Sequence, residues 1–473
     1  MVRNLDPAIR PGRSGATLPR PLVGDEVTVE CADGVARRYL NLDAAASTSA
    51  LPAVLDRVNG FLPFYSSVHR GAGYKSQLST GAYEEAREAA MRFAGRPQPD
   101  DDVAIICRNT TEAINHLAYR LDLHRDETVV TTVAEHHADL LPWARLCGRR
   151  FVECDRSGTF APDAVADALD RATRPRLLAI TGASNVTGWQ PPVERAVELA
   201  HERGIPVLVD AAQLAPHRPL PPSADFVVWS GHKMYAPFGA GVLIGPRRVF
   251  ATGDPFLAGG GAVDLVDLDE VAWSQPPERE EAGSPNVVGA VALHAAMDEL
   301  AAIGFGAIEA HDDTVAARLR QGLTAIPGVR LLGPDPTEPT LPIAAFNVAG
   351  IPHGLVAARL SYEFGIGVRH GCFCAHPYLL RLLGLSSAEV AAYRQAVRAG
   401  DRRAVPGAVR ASAGINTAVE DIDRLLGAVA LIASGAPAPF GYLQDPTSGD
   451  YRPPEGLAPW VTPGNNGSPC AVG

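Results

Sequence analysis

The chain has 473 residues, a hydrophobic fraction of 46% and a formal net charge of −11, with 53 acidic against 42 basic residues. This length suits two globular domains, and the scattered basic residues argue against a nucleic-acid partner. Seven cysteines without paired CxxC motifs argue against a disulfide framework, and we expect no metal site. No apolar run approaches the ~20 residues of a membrane span, and Met1–Leu22 lacks the apolar core of a secretory signal. We therefore expect a cytoplasmic protein with no membrane partner.

Short apolar runs alternate with helical patterns in the first part of the chain. The helical stretch Val193–Arg203, closed by Gly204, is one such pattern. This alternation is typical of a mostly parallel sheet of an α/β protein. The clearest strand candidates are Val103–Cys107, Thr128–Val133, Arg176–Thr181, Pro206–Asp210, Phe226–Ser230 and Gly241–Gly245.

The pattern changes after a long predicted helix, Ala282–Ile303, and indicates a smaller α+β C-terminal domain from Gly304. Its predicted strands and closing helix are Ala344–Val348, Ile366–Arg369, Val409–Ala413 and Val419–Ala433. We expect an N-terminal arm associated with the small domain (1–38), a large cofactor-binding domain (39–303), the small domain (304–434) and a Pro/Gly-rich tail (435–473), either extended or disordered.

Lys233 is the first candidate for chemistry, because the run Ser230-Gly231-His232-Lys233 follows a predicted strand and carries the lysine to the rim of the sheet. A lysine there can form an imine. Most lysines are solvated surface charges, so this run alone is a modest signal.

Asp210 ends the preceding predicted strand, Pro206–Asp210, directly after three apolar residues. A buried carboxylate must meet a cation, and the protonated pyridine nitrogen of a cofactor is one such partner. Capping of the next helix is the alternative explanation of this aspartate.

Arg108-Asn-Thr-Thr-Glu112 lies between the strand Val103–Cys107 and a predicted helix, Ala113–Leu121. Free N–H groups and a hydroxyl at a helix N-terminus form a phosphate cradle, although the same pattern also caps helices that bind nothing.

Two more strand ends carry Glu135-His136-His137, whose imidazole could stack on a pyridine ring, and Ser184-Asn185, whose amide could bond a phenolic oxygen. Either could equally be a satisfied core or surface residue. Successive strand ends that bear Thr, His, Asn, Asp and Lys, in this order, favour one shared site.

In this order, the residues resemble the fold type I pyridoxal-phosphate enzymes of the class V aminotransferase superfamily, most closely the group II, sulfur-mobilising cysteine desulfurases and selenocysteine lyases. The resemblance covers roughly Leu40–Ala433 and implies a mostly parallel seven-stranded sheet in the large domain. Its markers are Leu42-Asp-Ala-Ala-Ala46, Val68-His-Arg-Gly71, Asn109-Thr-Thr-Glu-Ala-Ile-Asn115, Glu135-His-His-Ala138, Ser184-Asn-Val-Thr-Gly188, Val209-Asp-Ala-Ala-Gln213, Ser230-Gly-His-Lys233 and Glu281-Ala-Gly-Ser-Pro-Asn286.

The resemblance implies a role for each motif around pyridoxal 5′-phosphate. Lys233 would be the Schiff-base lysine, Asp210 the partner of the pyridine nitrogen, and His136 the stacking residue that assists proton transfer. The resemblance also implies a homodimer with shared active sites, in which Ser284 reaches the phosphate from the other subunit. The remaining cofactor ligands would be Asn185 and Gln213 at the phenolic oxygen and Thr110, Thr111, Ser230 and His232 at the phosphate.

Arg410 falls where the family places the arginine that clamps the substrate α-carboxylate through two parallel hydrogen bonds. An amino-acid substrate follows. The resemblance adds Asn185, Arg369 and His69 as substrate-binding residues, the last near a segment exchanged between subunits.

Cys374, in Arg369-His-Gly-Cys-Phe-Cys-Ala375, stands where sulfur-mobilising relatives carry their cysteine, and Cys372 is an addition. A nucleophilic thiolate can take sulfur from a bound cysteine and hold it as a persulfide for an acceptor protein. We therefore expect a C–S bond-cleaving enzyme of the cysteine desulfurase type. Alternatively, Cys374 is a merely structural thiol. Asn109 and Tyr74-Lys75-Ser76 also depart from the family pattern. A cysteine S-conjugate β-lyase or an aminotransferase- or epimerase-like enzyme therefore stays open. A further alternative is a non-catalytic cofactor-binding regulator. Its best sequence clue would be a fused DNA-binding segment, and this sequence contains none.

Overall fold

The structure is a computed structural model that describes residues 18–69, 71–96 and 101–454. The strands in chain order are β1 (Thr28–Glu30), β2 (Ala36–Arg38), β3 (Leu40–Asn41), β4 (Asp102–Cys107), β5 (Thr128–Thr132), β6 (Gly148–Val152), β7 (Pro175–Thr181), β8 (Val207–Asp210), β9 (Phe226–Ser230), β10 (Gly241–Pro246), β11 (Val263–Val266), β12 (Val271–Trp273), β13 (Val329–Leu332), β14 (Ile343–Val348), β15 (Ile366–Gly367), β16 (Arg369–Gly371), β17 (Ala408–Ser412), β18 (Leu443–Gln444) and β19 (Tyr451–Arg452).

The helices connect these strands and cover the sheets. They are α1 (Pro52–Phe61), α2 (Tyr74–Phe93), α3 (Thr110–Arg120), α4 (Leu141–Leu146), α5 (Pro162–Asp170), α6 (Val193–His201), α7 (Arg247–Phe250), α8 (Val287–Ile303), α9 (Phe305–Thr324), α10 (His353–Phe364), α11 (His376–Leu383), α12 (Ser387–Arg398) and α13 (Val419–Ala433).

The main sheet has seven strands in the order β4-β10-β9-β8-β7-β5-β6. Its neighbours are parallel except β10, which runs antiparallel to both β4 and β9. The predicted α/β fold with a mostly parallel seven-stranded sheet is therefore confirmed. Successive residues of one strand enter opposite apolar cores: Leu177 packs in the core with α3 and α4, and Leu178 in the core with α6 and α8. Burial on both faces explains why these strands are continuous apolar runs.

Two local predictions in this region need correction. The strand β6 was missed, because it lies at the sheet edge and its sequence, Gly-Arg-Arg-Phe-Val, is only partly buried. The long helix begins at Val287 and not at Ala282, since Asn286 accepts a hydrogen bond from the Gly289 amide and caps it.

A four-stranded antiparallel sheet, β13-β14-β17-β16, follows, with its core formed against α9, α10 and α13. The single strand predicted at Ile366–Arg369 is wrong in detail. Ile366–Gly367 pairs with β3 in parallel, whereas Arg369–Gly371 pairs with β17. Arg369 thereby begins the edge strand of the four-stranded sheet. The strand β13 was also missed.

Both described ends of the chain contact this smaller unit. At the N-terminal side, Arg38 forms an ion pair with Asp421, and the Ala32 amide donates to the Tyr362 carbonyl. At the C-terminal side, β18 and β19 form a hairpin, and the Tyr442 hydroxyl contacts Glu363 of α10 at 3.1 Å. The described part of the predicted tail, residues 435–454, thus packs on this unit, while residues 1–17 and 455–473 lie outside the described residues. The predicted domain boundaries stay predictions.

Within the described ranges, no single helix is long and apolar enough to cross a membrane; α8 and α9 pass together by length and composition but are bent by 81°. The cytoplasmic location stays a prediction.

Candidate active site

A cavity of about 250 Å³ opens at the carboxyl ends of the central strands, where the main sheet meets β16 and β17. Polar side chains at these strand ends converge because parallel strands end at one edge of the sheet. Of the residues predicted for the site, those that line the cavity are Thr110, Thr111, His136, Asn185, Asp210, Gln213, Ser230, His232, Lys233, Arg369, Cys374 and Arg410.

Two predicted residues are not brought to this cavity. Ser284 is exposed in the loop before α8. His69 lies beside Tyr83, with their ring centroids 5.9 Å apart, and its Nδ1 is 3.8 Å from Glu84. The roles of Ser284 and His69 stay predictions that require a second subunit.

The start of α3 forms one wall of the cavity. Asn109 caps this helix, since its Oδ1 accepts from the Glu112 amide at 3.0 Å, which gives the asparagine that departs from the family pattern a structural role. Thr110 contacts Ser230 twice, through its amide at 2.8 Å and its hydroxyl at 2.7 Å. The exposed Thr111 amide and hydroxyl find no partner in the described parts of the chain, which leaves a pair of donors at a helix N-terminus.

Gly241, which the sequence analysis did not single out, allows this helix start to approach the sheet. A Cβ atom at Gly241 would lie 2.8 Å from the Asn109 Cα and 2.8 Å from the Trp229 carbonyl oxygen. Only glycine therefore fits beneath the cradle. The signal was present as the glycine that opens β10.

Lys233 lies in a short turn of 3₁₀ helix directly after β9. Its surroundings set its charge: burial lowers its pKa to about 8, although the carboxylate of Asp210 opposes the shift. A fraction of the amine is consequently neutral near neutral pH and able to act as a nucleophile or base.

Asp210 is buried at the end of β8, and burial raises its pKa. Its Oδ1 accepts from the Ala212 amide at 2.9 Å in a tight turn, so Asp210 does not cap a helix as the alternative explanation required. The second oxygen has no hydrogen-bond partner among the described residues. A cationic N–H group in the cavity would complete it.

His136 follows β5 and faces the same space. Burial, and after it the positive charge of Lys233, lowers its pKa to about 3, so the ring is neutral. Its Nδ1 accepts from the Ala138 amide at 3.1 Å. The proton of the neutral ring therefore lies on Nε2.

Two fully buried acids behind His136, Glu135 and Asp139, were not proposed from the sequence. Glu135 Oε1 accepts from the Thr132 hydroxyl at 2.7 Å and from the Thr181 amide at 3.0 Å, and Asp139 accepts from Trp143 Nε1 at 3.0 Å. Glu135 Oε2 and Asp139 Oδ2 are buried without a partner in the described structure, and burial raises the pKa of both carboxyls, that of Glu135 to about 8. The pair therefore retains at least one proton at neutral pH. Their adjacency to the motif Glu135-His-His-Ala138 was the only signal.

Arg410 reaches the cavity from β17. Its Nη2 contacts Asp43 at 2.7 Å and its Nη1 donates to the Asn185 carbonyl at 2.9 Å. Its Nε is buried without a partner in the described structure. Asp43 also lies 3.8 Å from Arg369. Asp43, which the sequence analysis quoted only as part of a motif, thus lies between both predicted substrate-binding arginines.

Cys374 is exposed and faces the cavity from the turn between β16 and α11, and Cys372 is half-buried. The Phe373 carbonyl accepts from Asn185 Nδ2 at 2.7 Å, and the Cys374 carbonyl accepts from the His137 amide at 2.7 Å. The main sheet therefore holds the cysteine turn in place.

Known proteins share this arrangement of chain and sheet. The sequence matches the family model described as aminotransferase class-V over residues 40–425. A cysteine desulfurase of Cronobacter sakazakii is 34% identical over 398 residues, covering 81% of this chain and 91% of that protein. Among solved structures, the apo cysteine desulfurase of Thermococcus onnurineus NA1 has a TM-score of 0.74 at 31% identity, covering 84% of this chain and 95% of the other. A cysteine desulfurase of Escherichia coli in an S-sulfonic acid form has a TM-score of 0.70 at 31% identity, covering 83% and 94%.

Proposed function

Since this chain belongs to the class V aminotransferase family, we propose that it is a pyridoxal-phosphate-dependent enzyme that removes sulfur from cysteine or a cysteine derivative. The observation that carries the proposal is the cavity itself, in which the exposed Cys374 faces the same space as Lys233 and Arg410. A thiol, an amine and a guanidinium together can accept sulfur, move a proton and bind a carboxylate.

The residues present fit the cofactor. Lys233 would hold its aldehyde carbon, the open oxygen of Asp210 would face the pyridine nitrogen, and the free donors of Thr111 would face the phosphate. When bound, the cofactor supplies an electron sink for the pair of electrons left after the α-proton is removed. Asp210 supports this role by keeping a positive charge favourable at its open oxygen.

The protein groups divide the remaining tasks. Arg410 binds the substrate α-carboxylate, and its contacts with Asp43 and the Asn185 carbonyl fix the plane of the guanidinium. Lys233, with a pKa of about 8, takes and returns a proton near neutral pH. His136 offers Nε2–H toward the same space.

Cys374 would complete the reaction. Its thiolate attacks the sulfur of the substrate, the C–S bond breaks, and the products are alanine and a persulfide on Cys374. The exposure of Cys374 allows an acceptor thiol to collect this sulfur. We include in the proposal a homodimer in which Ser284 and His69 of one subunit complete the site of the other, and a sulfur-acceptor protein.

The test is a product assay with L-cysteine. Wild-type holoenzyme is expected to form alanine with sulfide or persulfide, and Cys374→Ala is expected to lose alanine formation by at least tenfold. Cys147→Ala, which alters a buried cysteine that does not line the cavity, is the matched control. If Cys374→Ala forms pyruvate and ammonia from L-cysteine as fast as the wild type does, the proposal is wrong and the enzyme is a β-lyase.

A further inference from the structure

The proposed mechanism leaves Cys372 without a task, although it lies only two residues before Cys374. The Ala375 amide donates to the Cys372 carbonyl at 3.0 Å, and Phe373 and Cys374 have φ of 56° and 54°. This hydrogen bond with two left-handed central residues defines a type I′ turn. Neither central residue is glycine, so the backbone conformation is one that these residues rarely adopt.

The surroundings maintain this turn. Its two central carbonyls accept from Asn185 Nδ2 and from the His137 amide, and the Phe373 ring is buried beneath the Arg410 guanidinium at 5.1 Å. Residues two apart in a turn lie within the Cα separation of about 4.4–6.8 Å that a disulfide spans. The fold therefore keeps Cys374, a central residue of the turn, close to Cys372 at its start.

The two thiols differ in their environments. Cys374 is exposed to the cavity, whereas Cys372 is half-buried against the apolar cluster that contains Tyr378, Leu379 and Leu382. Burial raises the pKa of the Cys372 thiol. Cys372 is therefore mostly protonated at neutral pH and a slow nucleophile.

We propose that Cys372 is a resolving thiol that releases the sulfur of a Cys374 persulfide as sulfide when no acceptor collects it. This rests on the proposed function, which supplies the persulfide. The Cys372 thiolate attacks Cys374 Sγ, a Cys372–Cys374 disulfide forms, and the bond to the outer sulfur breaks. The outer sulfur leaves as hydrosulfide and takes up the proton that Cys372 lost. Two cysteine sulfurs are oxidised by one electron each and the outer sulfur is reduced by two.

The disulfide must then be reduced before the next turnover. A dithiol protein or a low-molecular-weight thiol would exchange with it, leaving its own disulfide and both enzyme thiols. Because Cys372 is mostly protonated, release is slower than transfer to a thiolate acceptor at neutral pH and accelerates as pH rises. The persulfide sulfur of Cys374 can therefore leave by two routes, transfer to an acceptor or release as sulfide through Cys372.

The test is a single turnover of pre-reduced holoenzyme with one equivalent of L-cysteine, without air or added thiol. Wild type is expected to form one alanine and one sulfide per active site and a Cys372–Cys374 disulfide, located by peptide mass spectrometry. Cys372→Ala is expected to form the same alanine, to release at least tenfold less sulfide, and to retain one extra sulfur atom on Cys374. Cys372→Ser should behave like Cys372→Ala.

The matched control is Cys154→Ala, which removes another half-buried thiol packed on the same apolar cluster. It should release sulfide as the wild type does. Sulfide release from Cys372→Ala at the wild-type rate overturns the resolving role while alanine formation upholds the proposed function. Absence of alanine from all of the proteins overturns both. Oxidation of the resting wild type with diamide provides a measurement without turnover: failure to form the Cys372–Cys374 disulfide also overturns the proposal.

Discussion

The buried acids Glu135 and Asp139 make the free energy of unfolding depend on pH. In the folded chain the pair retains at least one proton at neutral pH, because burial raises both pKa values, that of Glu135 to about 8. In the unfolded chain both acids ionise near pH 4. A group whose pKa is raised by folding adds stability that is complete below the unfolded pKa and is lost as pH rises through the folded value.

Asp139→Asn isolates this effect. The asparagine keeps an acceptor for Trp143 Nε1, which now contacts Asp139 at 3.0 Å, and its amide can donate to an ionised Glu135. One retained proton changes the free energy of unfolding by about 1.4 kcal/mol per pH unit, or about 3 kcal/mol between pH 5 and pH 7. We expect the cofactor-free wild type to lose this much more stability over the interval than Asp139→Asn.

Urea unfolding of both proteins at pH 5, 6 and 7 measures the difference. Burial lowers the pKa values of several half-buried histidines, among them His353 and His376, and these residues make stability rise with pH. Both proteins share these histidines, so their contribution cancels in the comparison. The exposed Asp269→Asn is the control and should follow the wild type. Equal slopes of stability against pH for wild type and Asp139→Asn would refute a proton retained at Asp139.

Three further predictions concern the cavity. Lys233→Ala should lose the visible absorbance band of lysine-bound pyridoxal phosphate that the wild type shows after reconstitution; the same band in both proteins would contradict the role of Lys233. Arg410→Lys should lower kcat/KM for cysteine roughly 10- to 150-fold, since a charged hydrogen bond contributes about 1.5–3 kcal/mol; a change below threefold in steady-state kinetics would speak against the clamp. Gly241→Ala should weaken cofactor binding at least tenfold in a spectroscopic titration, because its Cβ would meet Asn109 at 2.8 Å, whereas Gly427→Ala, with open space around it, should bind normally; equal affinities would exclude the steric explanation.

The sequence predicts the main sheet well because its strands are buried on both faces and read as continuous apolar runs. It does not reveal β6, whose edge position leaves Arg149 and Arg150 in the strand, nor the division of Ile366–Arg369 between two sheets. Local patterns contain no information about which partner a two-residue strand will select.

The same contrast holds for the site. The order of Thr111, His136, Asn185, Asp210 and Lys233 along the chain already indicates their convergence, because each follows one of the main-sheet strands that run in the same direction, β4, β5, β7, β8 or β9. Asp43 and the acid Asp139 could not be assigned in this way, since their roles depend on contacts with distant segments or on burial. The predicted roles of Ser284 and His69 depend on a second subunit and stay predictions.

The contact between Asp43 and Arg410 joins residues 367 positions apart in the sequence. The predicted cofactor ligands contributed by this subunit, by contrast, all come from residues 110–233. During synthesis, the middle of the chain could therefore fold around a cofactor pocket long before β17 leaves the ribosome, because domains form as their segments emerge. Closing the long loop between Asp43 and Arg410 costs chain entropy, and contacts so distant in sequence form slowly. Amino-acid binding, and with it the exposure of a reactive thiol to substrate, would thus be among the last properties that the nascent protein acquires.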